Sequence, residues 1–219
     1  MSLQNIIDIA STLEINRRKL ISQQISRSEI LKSNEIVSRN PWRFTVGVQR
    51  VTPYTNARAL MESIDHYDRI NYQDVTFSNN SKLSWMFAYQ GDLTSAQLNA
   101  LRITSFSGNQ LVLNTLPAGN ASNYVVKAGD IFQIAGYPYP FTAVNSVQRG
   151  SGTTVTITTN RPNFISASVA NLALVFGNAV QFRMMARSMP TYRLIPGGGT
   201  ALVEFTGDVE LYEYTGLTA

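Results

Sequence analysis

No cysteine occurs anywhere in the chain, which excludes disulfide staples, thiolate catalysis and thiol-ligated metals. Histidine is reduced to one, His66, so a metal site built on imidazoles lacks a second nitrogen, and a Ser-His-Asp triad would have to pass through that residue. Charged residues make up 15% of the 219, below the usual quarter, and no run of about 18 apolar residues exists to cross a membrane as a helix. The first residues show no secretory signal pattern. Ile6, Ile7, Ile9 and Ala10 are interrupted by Asp8 and followed by Glu14 and Arg17, so export by the general secretory route is not expected. Proline and glycine are missing until Pro41. What is present is abundant Thr, Asn, Ser and Gln, the composition of polar β-surfaces.

The basic excess sits at one end. Residues 1–50 hold eight Lys and Arg against Asp8, Glu14, Glu29 and Glu35, while the rest of the chain is neutral. Within residues 3–38, Ile6, Leu13 and Leu20 recur at seven, which predicts an N-terminal helical arm over residues 1–40 with a break near 26–28. Its narrow apolar stripe needs another surface to lie on. Arg17, Arg18, Lys19 and Arg27 are the candidates for docking it on an acidic neighbouring subunit. Nucleic-acid binding would want aromatic platforms beside this charge, and the arm has none before Trp42.

Beyond Pro41 the period changes to two. Trp42, Phe44, Val46 and Val48 alternate with polar partners, and strands are also predicted at 71–77 and 83–89, with a short helix from Ala57 carrying Leu60, Met61 and Ile64 on one side. From Thr94, which caps a two-turn helix with Gln97, five short strands follow within some 60 residues, as in a small barrel. The expected organisation is mainly β. A sandwich over 41–93 and 164–219 carries an inserted small β-barrel at 94–163 and the arm at 1–40; a single continuous sandwich would give the same spacing.

The longest pattern lies at 180–214, two alternating runs joined by Pro196, Gly197, Gly198 and Gly199. It predicts a long C-terminal hairpin, with each arm about 14 residues and roughly 45 Å long. With facing positions summing to 391, Arg183 would meet Asp208 and Arg187 would meet Glu204, while Phe182 meets Val209 on the apolar face. A charged ribbon of this length suits pairing between subunits.

Catalytic signatures are weak. His66 stands between Asp65 and Asp68 without a third ligand, and Gly150-Ser151-Gly152 lies in a hairpin turn where a nucleophile elbow needs a strand-to-helix turn. Gly197-Gly198-Gly199-Thr200 lacks the lysine and the following helix of a phosphate loop. Glu62, Asp74, Asp92 and Asp130 form no hydrolase signature. No enzyme activity, cofactor or metal is expected. Tyr137, Tyr139 and Trp85 form the alternative, a carbohydrate- or peptide-binding β-module.

Four segments resemble structural proteins of tailed-bacteriophage tails: Ser38-Arg39-Asn40-Pro41-Trp42-Arg43-Phe44, Val126-Lys127-Ala128-Gly129-Asp130, Met189-Pro190-Thr191-Tyr192-Arg193-Leu194, and the stretch from Val203 to Leu211. The most similar group is the tail-tube-like ring proteins: baseplate hub, distal-tail and hub-clamping ripcord proteins. The resemblance implies a virion protein of the tail or baseplate, assembled in the host cytoplasm. It would form a homo-oligomeric ring, six copies in hub and tube members, against hub, tube, wedge or sheath proteins, with DNA only as channel content and no membrane contact. Tube lumens in that group tend to be acidic. Arg183 and Arg187 neutralise the second arm's acidic face, which leaves open a place outside the hub, clamping hub to wedge.

Overall fold

The structure, a computed structural model, describes residues 3–18, 21–25, 31–35, 40–48, 51–66, 71–197 and 201–216. The N-terminal third contains α1 (Leu3–Asp8), β1 (Thr12–Asn16), β2 (Ile21–Ile25), β3 (Leu31–Glu35), β4 (Arg43–Gly47), β5 (Val51–Pro53), α2 (Tyr54–His66) and β6 (Gln73–Thr76). The middle contains α3 (Ser95–Ala100), β7 (Arg102–Ser107), β8 (Gln110–Asn114), β9 (Tyr124–Val126), β10 (Ile131–Ile134), β11 (Phe141–Thr142), β12 (Val147–Gln148), β13 (Val155–Thr158) and β14 (Leu174–Phe176). The chain closes with β15 (Gln181–Ser188), β16 (Thr191–Ile195), β17 (Leu202–Thr206) and β18 (Val209–Glu213). The architecture is mainly β.

A five-stranded antiparallel sheet in the order β1-β4-β18-β15-β6 forms the frame. Alternation decides its faces: Phe44, Val46, Phe182, Met184, Val209 and Leu211 point inward, and α1 and α2 pack over them with Leu3, Ile6, Ile7, Leu60 and Ile64. Phe44 and Phe182 meet edge to face at 5.0 Å between ring centres, the geometry favoured by aromatic quadrupoles. In α2 the buried and half-buried residues Ala57, Leu60, Met61 and Ile64 follow the helical spacing expected of them.

A second core gathers residues from Leu93 to Leu174. Its strands form three small sheets, β11-β10-β14, β12-β9 and β13-β8-β7, and their ladders do not close into a barrel among the described residues. β14, assigned to the larger sandwich by its sequence position, pairs instead with β10 of this second unit. Thr94 and Gln97 make the reciprocal cap of α3 as its sequence requires.

The N-terminal arm departs from expectation. Only Leu3–Asp8 is helical; Thr12 to Asn16 is a strand on β4, and β2 with β3 is a hairpin. The seven-residue spacing of Ile6, Leu13 and Leu20 competes there with the alternation Thr12-Leu13-Glu14-Ile15-Asn16, and sheet pairing with β4 decides for the shorter period. Residues 84–87, expected to be a strand, form a 3₁₀ turn.

The C-terminal hairpin forms, but in another register. Thr191 faces Thr206 and Met184 faces Glu213, so facing positions sum to 397. The displacement from 391 is even, which preserves every residue's face while changing every partner. The ribbon also breaks into two sheets. Pro190 cannot donate to a ladder, and Gly207 adopts a φ of 88°, so β16 and β17 turn away to join β5.

Candidate interaction surface

The displaced register dissolves the predicted ion pairs. Arg183 lies opposite Asp74 of β6 and grips it with two nitrogens at 2.9 and 3.0 Å, which raises the guanidinium pKa. Arg187 reaches Glu210 at 3.9 Å and donates to the Tyr212 hydroxyl at 3.0 Å. Glu204 is held by Arg193. Asp208 forms no ion pair among the described residues.

Together these side chains make the outer face of the five-stranded sheet a mosaic of arginine and tyrosine. Arg43 and Arg187 both lie against the ring of Tyr212, and Arg183 lies 4.6 Å from the centre of the Tyr72 ring. Tyr72 stacks on Tyr214, and the two rings with Arg183, Tyr137 and Tyr139 line a cleft of 250 Å³. The prolines around Tyr139 do not display it: Tyr139 and Phe141 are buried in the second core, Tyr137 is half-buried, and the exposed Trp85 sits apart on the 3₁₀ turn, donating to Lys82 O.

The two edges of the sheet differ. At β6, the Gln4 side chain donates to Thr76 O at 2.7 Å and accepts from Thr76 N at 2.9 Å, taking the place of a further strand. At β1, no main-chain group of Thr12–Asn16 bonds outward among the described residues.

Arg17 extends from β1 across the second unit. Its guanidinium lies 5.1 Å from the Trp42 ring centre and donates to Thr142 Oγ1 at 3.1 Å, and burial lowers its pKa. This candidate for subunit docking thus has two contacts within its own chain. Arg18 is exposed; Lys19 and Arg27 lie outside the described residues.

Beyond Arg17 the chain forms the β2–β3 ribbon, which pairs only with itself among the described residues. It displays Ile25 at 74% exposure and Leu31 at 58%.

A buried joint ties the main sheet to the second unit. Glu213 of β18 receives Arg161 at 2.5 and 2.7 Å, with both side chains fully buried. The Trp42 main-chain N–H donates to the same carboxylate, and Pro140 O accepts from both Arg161 and the Trp42 indole. Nothing in the sequence links positions 161 and 213, although a lone arginine in Asn160-Arg161-Pro162 was the available clue.

The other candidates for chemistry remain apart. His66 ends α2 on the exposed side, and no cluster of three His, Asp or Glu residues able to hold a metal occurs among the described residues. Asp74 is engaged by Arg183, Asp92 by Lys127 and the Tyr124 N–H, and Asp130 by two main-chain N–H groups, while Glu62 is exposed on α2. Asp130 and Gly129, whose φ is 96°, complete the tight turn before β10 that their sequence implied. No protein-family model and no curated protein matches the chain.

Proposed function

We propose that the chain is a structural protein of a larger assembly, serving in the tail or baseplate of a tailed bacteriophage, where it forms or clamps the ring at the tube or hub end. The β2–β3 ribbon carries this reading. An isolated two-stranded hairpin is marginal in water. One that exposes Ile25 and Leu31 gains stability from whatever it lies against. The arginine–tyrosine mosaic on the outer sheet face supplies the residue types enriched at protein interfaces.

The assignment to a phage tail rests on the four segments similar to tail proteins. Within it, the five-stranded sheet is the tail-tube-like element and the second unit is the module turned toward an adjoining ring or wedge protein. A clamp outside the hub suits the charges better than a channel lining, since Arg43, Arg183 and Arg187 offset Glu14, Asp74 and Glu210 on the outer face. The action is mechanical and needs no cofactor. The cleft at Tyr72 and Tyr214 supports the second reading, a carbohydrate- or peptide-binding module.

Deleting residues 1–38 would strip Leu3, Ile6 and Ile7 from the core, so the informative deletion is 21–35 alone, bridged by a Gly-Ser linker. The shortened chain is expected to keep its melting temperature but to lose ring formation in sedimentation and binding to purified tail particles. If it assembles as the full chain does, the docking role of the ribbon is wrong. Failure of the full chain to associate with itself or with tails, together with binding on a glycan array, favours the second reading.

A further inference from the structure

We infer that the open edge of β1 is a strand-addition site for an extended segment of another protein, one with a carboxylate two positions from a large apolar side chain. The inference rests on the assembly reading in naming a neighbouring protein as the source of that segment. It deepens that reading by choosing one edge and one chemistry.

Three observations converge on this edge. The opposite edge is closed by Gln4, whereas the main-chain groups of Thr12–Asn16 have no outward partner among the described residues. Edges left open in this way are the usual templates for strand addition. Beside it lies a groove of 390 Å³, lined by Ile15 of the edge strand itself together with Arg17, Trp42, Met86 and Ile131. An added strand would direct every second side chain toward that groove, since Ile15 of β1 and Arg17, two residues on and just past the strand end, both line it.

The polar groups state what the strand must carry. Arg17 has Thr142 and the Trp42 ring as neighbours but no carboxylate at ion-pairing distance among the described residues. A cation in that position without an acid of its own favours an incoming one. The adjoining groove, which shares Arg17, is also lined by Asn40, only 4% exposed, whose Oδ1 accepts no hydrogen bond among the described residues. A buried acceptor without a donor is costly, and a main-chain or side-chain N–H of the incoming segment would satisfy it. On the other face, Glu14 excludes a second acid opposite it and favours a base.

The test is selection from an mRNA-displayed library of random dodecapeptides against the intact chain. Enriched peptides are expected to pair Asp or Glu with Phe, Leu, Ile or Met at a spacing of two. Synthetic copies of the strongest sequence should bind at least about tenfold more weakly to Arg17→Glu, a loss that corresponds to one decade in Kd. Ala128→Trp, at an exposed turn position lining both grooves, should block them by bulk and serves if Arg17→Glu fails to fold. If no peptide is enriched, if the enriched peptides lack the acid, or if both variants bind as the parent does, the inference is wrong. Loss of self-association on Arg17→Glu, without peptide capture by the parent, would make the occupant a second copy and overturn it. The chain lacking residues 21–35 keeps β1, so its peptide binding separates failure here from failure of the ribbon's docking role.

Discussion

Glu213 and Arg161 bind each other through two parallel hydrogen bonds with neither side chain exposed to solvent. The pair joins the last strand of the main sheet to the loop leaving β13. Removing one partner strands a buried charge, so Arg161→Met is expected to cost about 3–5 kcal/mol in urea unfolding. Adding Glu213→Leu restores only part of this, because Trp42 N–H then loses its acceptor. A double variant no better than the single would show that the loss does not come from a stranded Glu213 carboxylate.

Gln4 and Thr76 offer a second test. The Gln4 amide also donates to Asp8 Oδ1 at 2.6 Å, so its two donors and its oxygen are all engaged. Gln4→Ala should cost about 1–2 kcal/mol from the lost bonds. It should also add concentration-dependent association that β6 does not otherwise support, visible in sedimentation velocity. Unchanged sedimentation would mean that this edge is protected by something other than Gln4.

How far these features were legible in the sequence depends on the range of the interaction that fixes them. The apolar side of α2, the Thr94 cap and the turn at Gly129 are local and could be read directly. The C-terminal ribbon was visible as alternation, and its inward residues were right because the register error was even. Pairing Arg183 and Arg187 with the acids of the second arm gives a register six short of the observed one. Centring the hairpin on Gly198-Gly199 gives the observed sum of 397, and Gly-Gly is a strong hairpin-turn signal. Arg183 finds its acid on β6, 109 residues away, where no local pattern points. Arg17 was singled out for its charge, yet its partner Thr142 is 125 positions distant and on its own chain.

Tyr89 predicts a response to alkali. Its hydroxyl donates to Val125 O at 2.6 Å, and burial pushes its pKa up to about 12 from 10. The Leu93 N–H opposes that rise, and Asp130 and Asp92 add to it. The folded state therefore holds the proton more tightly than the unfolded chain. The resulting stability is fully present below pH 10 and is lost as the pH rises from 10 to about 12. Tyr89→Phe cannot ionise, so its melting temperature should fall less steeply across that window than the parent's. Parallel curves would place the alkaline transition on other tyrosines.

Gly207 is where the ribbon changes sheets, with a φ of 88° that L-residues other than Asn and Asp seldom adopt. A Cβ there would meet nothing nearer than the Pro190 Cα at 4.0 Å, so any cost of substitution comes from backbone strain and not from a clash. Gly207→Ala is expected to destabilise by about 1–2 kcal/mol, and Gly207→Asn by less, since a short polar side chain tolerates the left-handed region. The order Gly, Asn, Ala in urea midpoint is the informative result. Equal losses for Asn and Ala would point to side-chain bulk. No loss in either would mean that β16 and β17 can turn from the main sheet without a left-handed residue at 207, leaving Pro190 alone to break the ladder.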